Sequence, residues 1–126
     1  MEDKDREIWV GENRMYLGED NILYTTVVGE VDENAAIAIW EGHLKFMNMV
    51  EGKLDTLIDL NKAGTQPLKA RKIGIKMFEY EKTGKVGLFG LHAVARVIAS
   101  FVMGVTRKKD IRFFKTKEEA LTWLKE

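Results

Sequence analysis

Apolar and polar positions alternate with two different periods along this chain. Glu7 to Val10, Arg14 to Leu17 and Ile22 to Val28 are short runs rich in aromatic and β-branched residues, the composition of strands. Gly11-Glu12-Asn13 and Gly18-Glu19-Asp20-Asn21 separate them with turn residues, so the region 1–30 predicts antiparallel hairpins. After Asp32 the period lengthens. Glu33 to Val50 carries Ala36, Trp40, Leu44 and Met47 at helical spacing. Asp32 is placed to cap that helix, and Gly52 lies just past its end, where a left-handed residue is often needed.

From there the pattern alternates. Leu54 to Leu60 predicts a strand and Pro67 to Lys82 a helix, with Ala70, Ile73, Met77 and Tyr80 on one face. Lys85 to Leu91 is nearly continuous in apolar character, as suits a strand covered on both faces. Ala93 to Val105 predicts a helix, Ile111 to Phe114 a strand and Lys117 to Lys125 a last helix, opened by the capping box Thr116-Lys117-Glu118-Glu119. Strands and helices joined by short connections imply right-handed crossovers. The expectation is an α/β fold: a single mixed, mainly parallel β-sheet extended by N-terminal antiparallel strands and packed with four helices. The region 31–126 would alternate α and β, and 1–126 would form one domain.

Composition narrows the classes. The chain has 126 residues, 45% hydrophobic and 32% charged, with a formal net charge of zero, so no global field favours nucleic acid. Cysteine is absent, which excludes disulfides, thiolate metal sites and cysteine nucleophiles. The charged N-terminal stretch MEDKDREIWV has no apolar signal core, and Ala93 to Val105 is too short to span a bilayer. A cytoplasmic protein without a transmembrane segment is expected.

The order of elements and several local phrases then become informative together. Leu57-Ile58-Asp59-Leu60-Asn61, Val86-Gly87-Leu88-Phe89-Gly90, Ala95-Arg96-Val97-Ile98-Ala99-Ser100-Phe101 and the ending from Ile111 to Leu124 resemble the STAS domain superfamily, in its SpoIIAA-like branch of small anti-sigma factor antagonist-like bacterial proteins. That resemblance implies a non-enzymatic regulatory module that binds a partner protein and can be switched by phosphorylation. In the antagonists the phosphorylated Ser follows an Asp in an Asp-Ser-x-Gly turn at the start of the second helix. The matching turn here is Lys62-Ala63-Gly64-Thr65-Gln66-Pro67, which lacks the Asp-Ser pair.

Four sets of candidate residues follow. Thr65 is the hydroxyl in that turn, a candidate helix cap and a candidate phosphoacceptor or anion site. Asp59, Asn61, His92 and Thr116 come from strand ends at the carboxyl edge of the sheet, where open α/β sheets place ligands, and form a candidate rim. His43 lies among apolar neighbours on a helix and reads as structural. In Ala93 to Val105, the residues Val94, Val97, Ile98, Phe101, Val102 and Val105 supply a core stripe. That leaves Ala95, Arg96, Ala99 and Met103 as a candidate self-association face, hence an expected homodimer. Lys69-Arg71-Lys72-Lys76 reads as a solvated helix face and Arg107-Lys108-Lys109 as a loop, neither interleaved with aromatics as nucleic-acid binding would need. No phosphate-loop, dinucleotide or nucleophile-elbow motif occurs, and the two histidines have no metal-ligand spacing. The expected function is a non-catalytic interaction module without cofactor or metal, its partner protein unspecified. The alternative is a domain binding a small ligand or lipid at the carboxyl edge.

Overall fold

The computed structural model describes residues 3–126. After a short 3-10 turn at Asp3–Arg6, strands β1 (Glu7–Val10), β2 (Asn13–Leu17) and β3 (Ile22–Gly29) form the expected antiparallel meander. Helix α1 (Glu33–Met49), β4 (Leu54–Ala63), α2 (Leu68–Glu79), β5 (Thr83–Phe89), α3 (Ala93–Val105), β6 (Ile111–Phe114) and α4 (Lys117–Leu124) follow. The six strands make one sheet in the order β1-β2-β3-β4-β5-β6, with β3 to β6 parallel.

This strand order dictates where the helices go. Each crossover steps one strand in the same direction, and right-handed crossovers then put every connecting helix on the same face. The main core accordingly joins Leu23, Ile58 and Leu88 of the sheet to Phe46 of α1, Phe78 of α2 and Ile98 of α3. Helix α4 follows the last strand without a return strand and folds onto the other face. There Ala120, Trp123 and Leu124 bury Ile22, Leu57 and Phe89. It covers only part of that face, so Arg14, Tyr16, Tyr24 and Asp59 line an open groove beside it.

Local signals act as the sequence implies at three places. Asp32 accepts from the Ala35 amide at 2.8 Å and caps α1, while Gly52 takes φ +72° just beyond its end. The Thr116 hydroxyl accepts from the Glu119 amide at 3.3 Å. The Glu119 carboxylate accepts from that same hydroxyl at 3.1 Å, so the reciprocal half of the box is closed on the side chain.

Lysines bond carbonyls at helix carboxyl ends. Lys82 Nζ donates to the Met47 and Val50 carbonyls at the end of α1, and Lys85 Nζ to those of Trp123 and Glu126 beyond α4. Lys108 likewise turns inward, its Nζ donating to the Thr83 carbonyl at 3.1 Å and pairing with Asp110 at 2.8 Å. The Arg107-Lys108-Lys109 loop is therefore not a uniformly solvated cluster.

Two boundaries lie furthest from expectation. Strand β4 runs on to Ala63 because its last residues pair with Val28 and Gly29 of β3. Helix α2 ends at Glu79, since Thr83 binds the turn below it: the Thr83 hydroxyl donates to the Met77 carbonyl at 2.7 Å and its amide to Tyr80 at 2.9 Å.

Helix α3 corrects the sequence expectation most. Ala95 and Ala99 are 0% and 3% exposed and belong to the core, whereas Val97 and Val105 are 55% and 53% exposed. The inner stripe is Ala95, Ile98, Ala99 and Val102. Small residues lie inward because the helix packs close to the sheet: the space beside Gly90 is already occupied by the Ala95 Cβ. Of the proposed association face, only Arg96 and Met103 reach the surface.

Candidate functional site

The carboxyl edge of β4 and β5 carries the residues that sequence reasoning singled out. Their polar atoms are largely used by the chain itself. Asp59 Oδ1 accepts from the Asn61 amide at 2.9 Å, and Asn61 Oδ1 accepts from the Leu91 amide at 3.1 Å. His92 Nε2 lies 2.8 Å from the Leu60 carbonyl. A carbonyl only accepts, so Nε2 carries the proton in this contact. Asn61 and His92 together latch the loop between β5 and α3 onto the end of β4. Asp59 lines the open groove with Leu57 and Phe89, and Thr116 is the cap of α4. The four proposed rim residues thus do not converge on one site: of the four only Asp59 lines the groove, and Asn61, His92 and Thr116 are engaged in local bonds to the backbone.

The turn at Gly64-Thr65-Gln66-Pro67 is held closely. The Gly64 amide donates to the Gly29 carbonyl at 2.7 Å, and a Cβ on Gly64 would meet Gly29 and Glu30 backbone within 3 Å. Only glycine lets the two chain segments approach this far. Thr65 is exposed but does not cap α2. The N-cap is Pro67, with φ −66° and ψ 158° and no side-chain capping bond. Helix bonding begins with the Arg71 amide donating to the Pro67 carbonyl at 3.1 Å. The amides at the start of α2 therefore lack a side-chain acceptor, and the helix dipole leaves partial positive charge there. Leu68 and Leu91, 54% and 63% exposed, lie at this same end of the fold.

Three further features stand out, of which only His43 was singled out in the sequence, as a structural residue. The first is a cavity of about 80 Å³ enclosed by α1, α2, α3 and the sheet, lined by Val27, Ile58, Leu60, Met77, Ile98 and Val102 among others. Its half-buried mouth is formed by Gln66, Arg71, Gly74 and Phe101. Arg71 folds across it, with Nε donating to the Gln66 carbonyl at 2.9 Å and the guanidinium 5.2 Å from the Phe101 ring centre. A lone glycine inside a helix pattern was the available hint, since Gly74 costs about 1 kcal/mol in helix propensity relative to Ala.

The second is His43, fully buried with Nε2 2.9 Å from the Thr25 hydroxyl. Burial lowers its pKa to about 3. The third is the open sheet face. Tyr16 and Tyr24 are direct cross-strand neighbours there. Arg14 lies 4.8 Å from the first ring and Lys117 5.4 Å from the second. Burial, followed by the bond from its hydroxyl to Asp20 at 2.5 Å, pushes the Tyr24 pKa up to about 12.

With this geometry in place, comparison with known proteins settles the family. The model of the family described as "Domain of unknown function (DUF7793)" matches residues 15–126. The chain belongs to the DUF7793 family. No curated protein is significantly similar to this DUF7793 chain in sequence. Among solved structures it is similar to an anti-sigma factor antagonist from Mycobacterium paratuberculosis, at TM-score 0.69 and 19% identity over 100% of both chains. It is similar to a DUF3478 protein with a SpoIIAA-like fold from Shewanella loihica PV-4, at TM-score 0.65 and 18% identity over 89% of this chain and 91% of that one. The anti-sigma factor antagonist SpoIIAA in its unphosphorylated form matches at TM-score 0.61 and 13% identity over 90% of this chain and 97% of that one. The DUF7793 fold is therefore the α/β fold of the STAS, SpoIIAA-like type that the sequence resemblance implied. Among the described residues no helix is long and apolar enough to cross a membrane.

Proposed function

We propose that this chain is a non-catalytic regulatory module of the STAS type that docks a partner protein in the cytoplasm. The docking surface is the end of the fold formed by the 64–68 turn and the 91–97 segment. The observation that carries this reading is the exposure of Leu68, the first residue of the uncapped helix α2, and of Leu91, just past β5 at the same edge of the sheet. Exposed apolar side chains at an edge that also offers helix-start amides without a side-chain cap combine burial energy with directional hydrogen-bond donors, which suits a protein surface. The likeness to anti-sigma factor antagonists supports the same class of role. Thr65, exposed in the 64–68 turn, would act as the switch. A phosphate there adds about −1.5 to −2 charge at a helix start that favours anions.

The test is site-specific photo-crosslinking in the producing cells from position 91, with position 19, in the β2–β3 turn at the opposite edge of the sheet, as control. A protein linked from 91 and not from 19 is then purified, and its affinity for this chain measured by calorimetry. Leu68→Asp and Leu91→Asp should each weaken that affinity by about tenfold or more while leaving the melting temperature unchanged. Equal crosslinking from both positions, or unchanged affinity in both variants, would sink the proposal. Phosphopeptide mapping under several growth conditions addresses Thr65 separately.

A further inference from the structure

We propose that the cavity between α2, α3 and the sheet is a binding site for a short-chain monocarboxylate, with the alkyl chain inside and the carboxylate on Arg71. This inference stands apart from the docking surface and does not depend on it. The cavity interior is apolar, and the Thr25 hydroxyl in its lining is already engaged with His43, at 2.9 Å. An ordered water needs two to four polar partners, and this lining does not supply them. The space therefore suits carbon atoms.

Gly74 argues that the space is kept open. A Cβ built on it would meet nothing within 4 Å, so alanine would fit without displacing a neighbour. Alanine would also favour the helix and fill part of the void, both of which stabilise. Stability alone does not account for glycine at this position, whereas an occupant does.

Arg71 argues for the head group. It is the charged member of the cavity lining, and it is held across the mouth by the Gln66 carbonyl and the Phe101 ring rather than extended into solvent. Its Nε is engaged, which leaves the fork of Nη donors for a planar acceptor, the geometry that matches a carboxylate. The size sets the chain length. A cavity of about 150 Å³ takes benzene, so about half that volume holds roughly three carbons, with one to three more in the mouth. The ligand class is thus a carboxylate of about four to six carbons.

The experiment uses the whole chain with labelled Ile, Leu, Val and Met methyls, titrated with hexanoate, hexan-1-ol and acetate and followed by NMR. Hexanoate should give saturable shifts at the Val27, Ile58, Met77 and Val102 methyls. Hexan-1-ol should bind about tenfold more weakly, because it cannot form the charge-assisted bond to Arg71. Acetate, which lacks the chain, should leave these methyls unmoved. Gly74→Leu should abolish the hexanoate shifts. Arg71→Met, which keeps the stem and loses the fork, should bring hexanoate down to the affinity of hexan-1-ol, and it serves as the check if the Gly74 variant does not fold. Absence of saturable shifts at the cavity methyls, equal binding of hexanoate and hexan-1-ol, or undiminished hexanoate binding by either variant overturns the proposal.

Discussion

Lowering the pH from 7 to 5 should destabilise this protein through a single buried ring. His43 is 1% exposed and held against the Thr25 hydroxyl. Burial lowers its pKa from 6.5 to about 3. In the unfolded chain the imidazole takes up a proton near pH 6.5, while in the folded chain it stays neutral until about pH 3. Between these two values the unfolded state binds more protons, so stability falls as pH falls, by about 1.4 kcal/mol per unit at most. Integrated from pH 7 to pH 5, the loss is about 2 kcal/mol, or roughly 6–10 °C in Tm for a domain of this size. The assay is thermal unfolding followed by circular dichroism at pH 7, 6 and 5. The comparison protein is Thr25→Val/His43→Leu, which removes both partners together so that neither is left unpaired. The wild type should lose about 2 kcal/mol more than this double variant over the same range. In the folded wild type the His43 ring resonances should stay constant from pH 7 to 4.5. A folded-state titration near pH 6, or equal pH slopes in the two proteins, would refute the reasoning.

Two further outcomes follow from the corrected placements. Ala99→Glu puts a carboxylate into the core under α3, so urea unfolding should show a loss of about 3 kcal/mol or more; an unchanged midpoint would mean this helix face is not inside. Thr65→Ala should stay within about 0.5 kcal/mol of wild type, whereas Thr116→Ala should lose about 1 kcal/mol because its hydroxyl caps α4. Equal losses in these two variants would restore Thr65 as a cap.

The element order, the handedness of the crossovers and the caps at Asp32 and Thr116 were legible in the sequence because they rest on local rules. Apolar spacing sets the period of an element. A short polar side chain bonds the amide three residues on, and a glycine past a helix end relieves a left-handed φ. Helix α3 shows where such rules stop. Its apolar residues surround the axis, so periodicity cannot say which side is inside. That was decided by the close approach to Gly90, which admits Ala95 and turns Val97 outward. The candidate rim shows the same limit. Asp59, Asn61, His92 and Thr116 all come from strand ends, but only Asp59 lines the groove beside α4, and backbone groups engage the others.

The turn at Thr65 was misread because Pro67 itself takes the N-cap position, two residues later than the hydroxyl. The cavity behind Arg71 and the burial of His43 depend on how three helices meet one sheet. A void belongs to no residue in particular, and its walls come from β3, α1, β4, α2, β5 and α3. The sequence alone determined the elements, their order and their local ends, because those depend on neighbours a few residues apart. The faces they turn to one another, and the space left between them, were decided only by tertiary packing, because there the interacting residues are far apart in the chain.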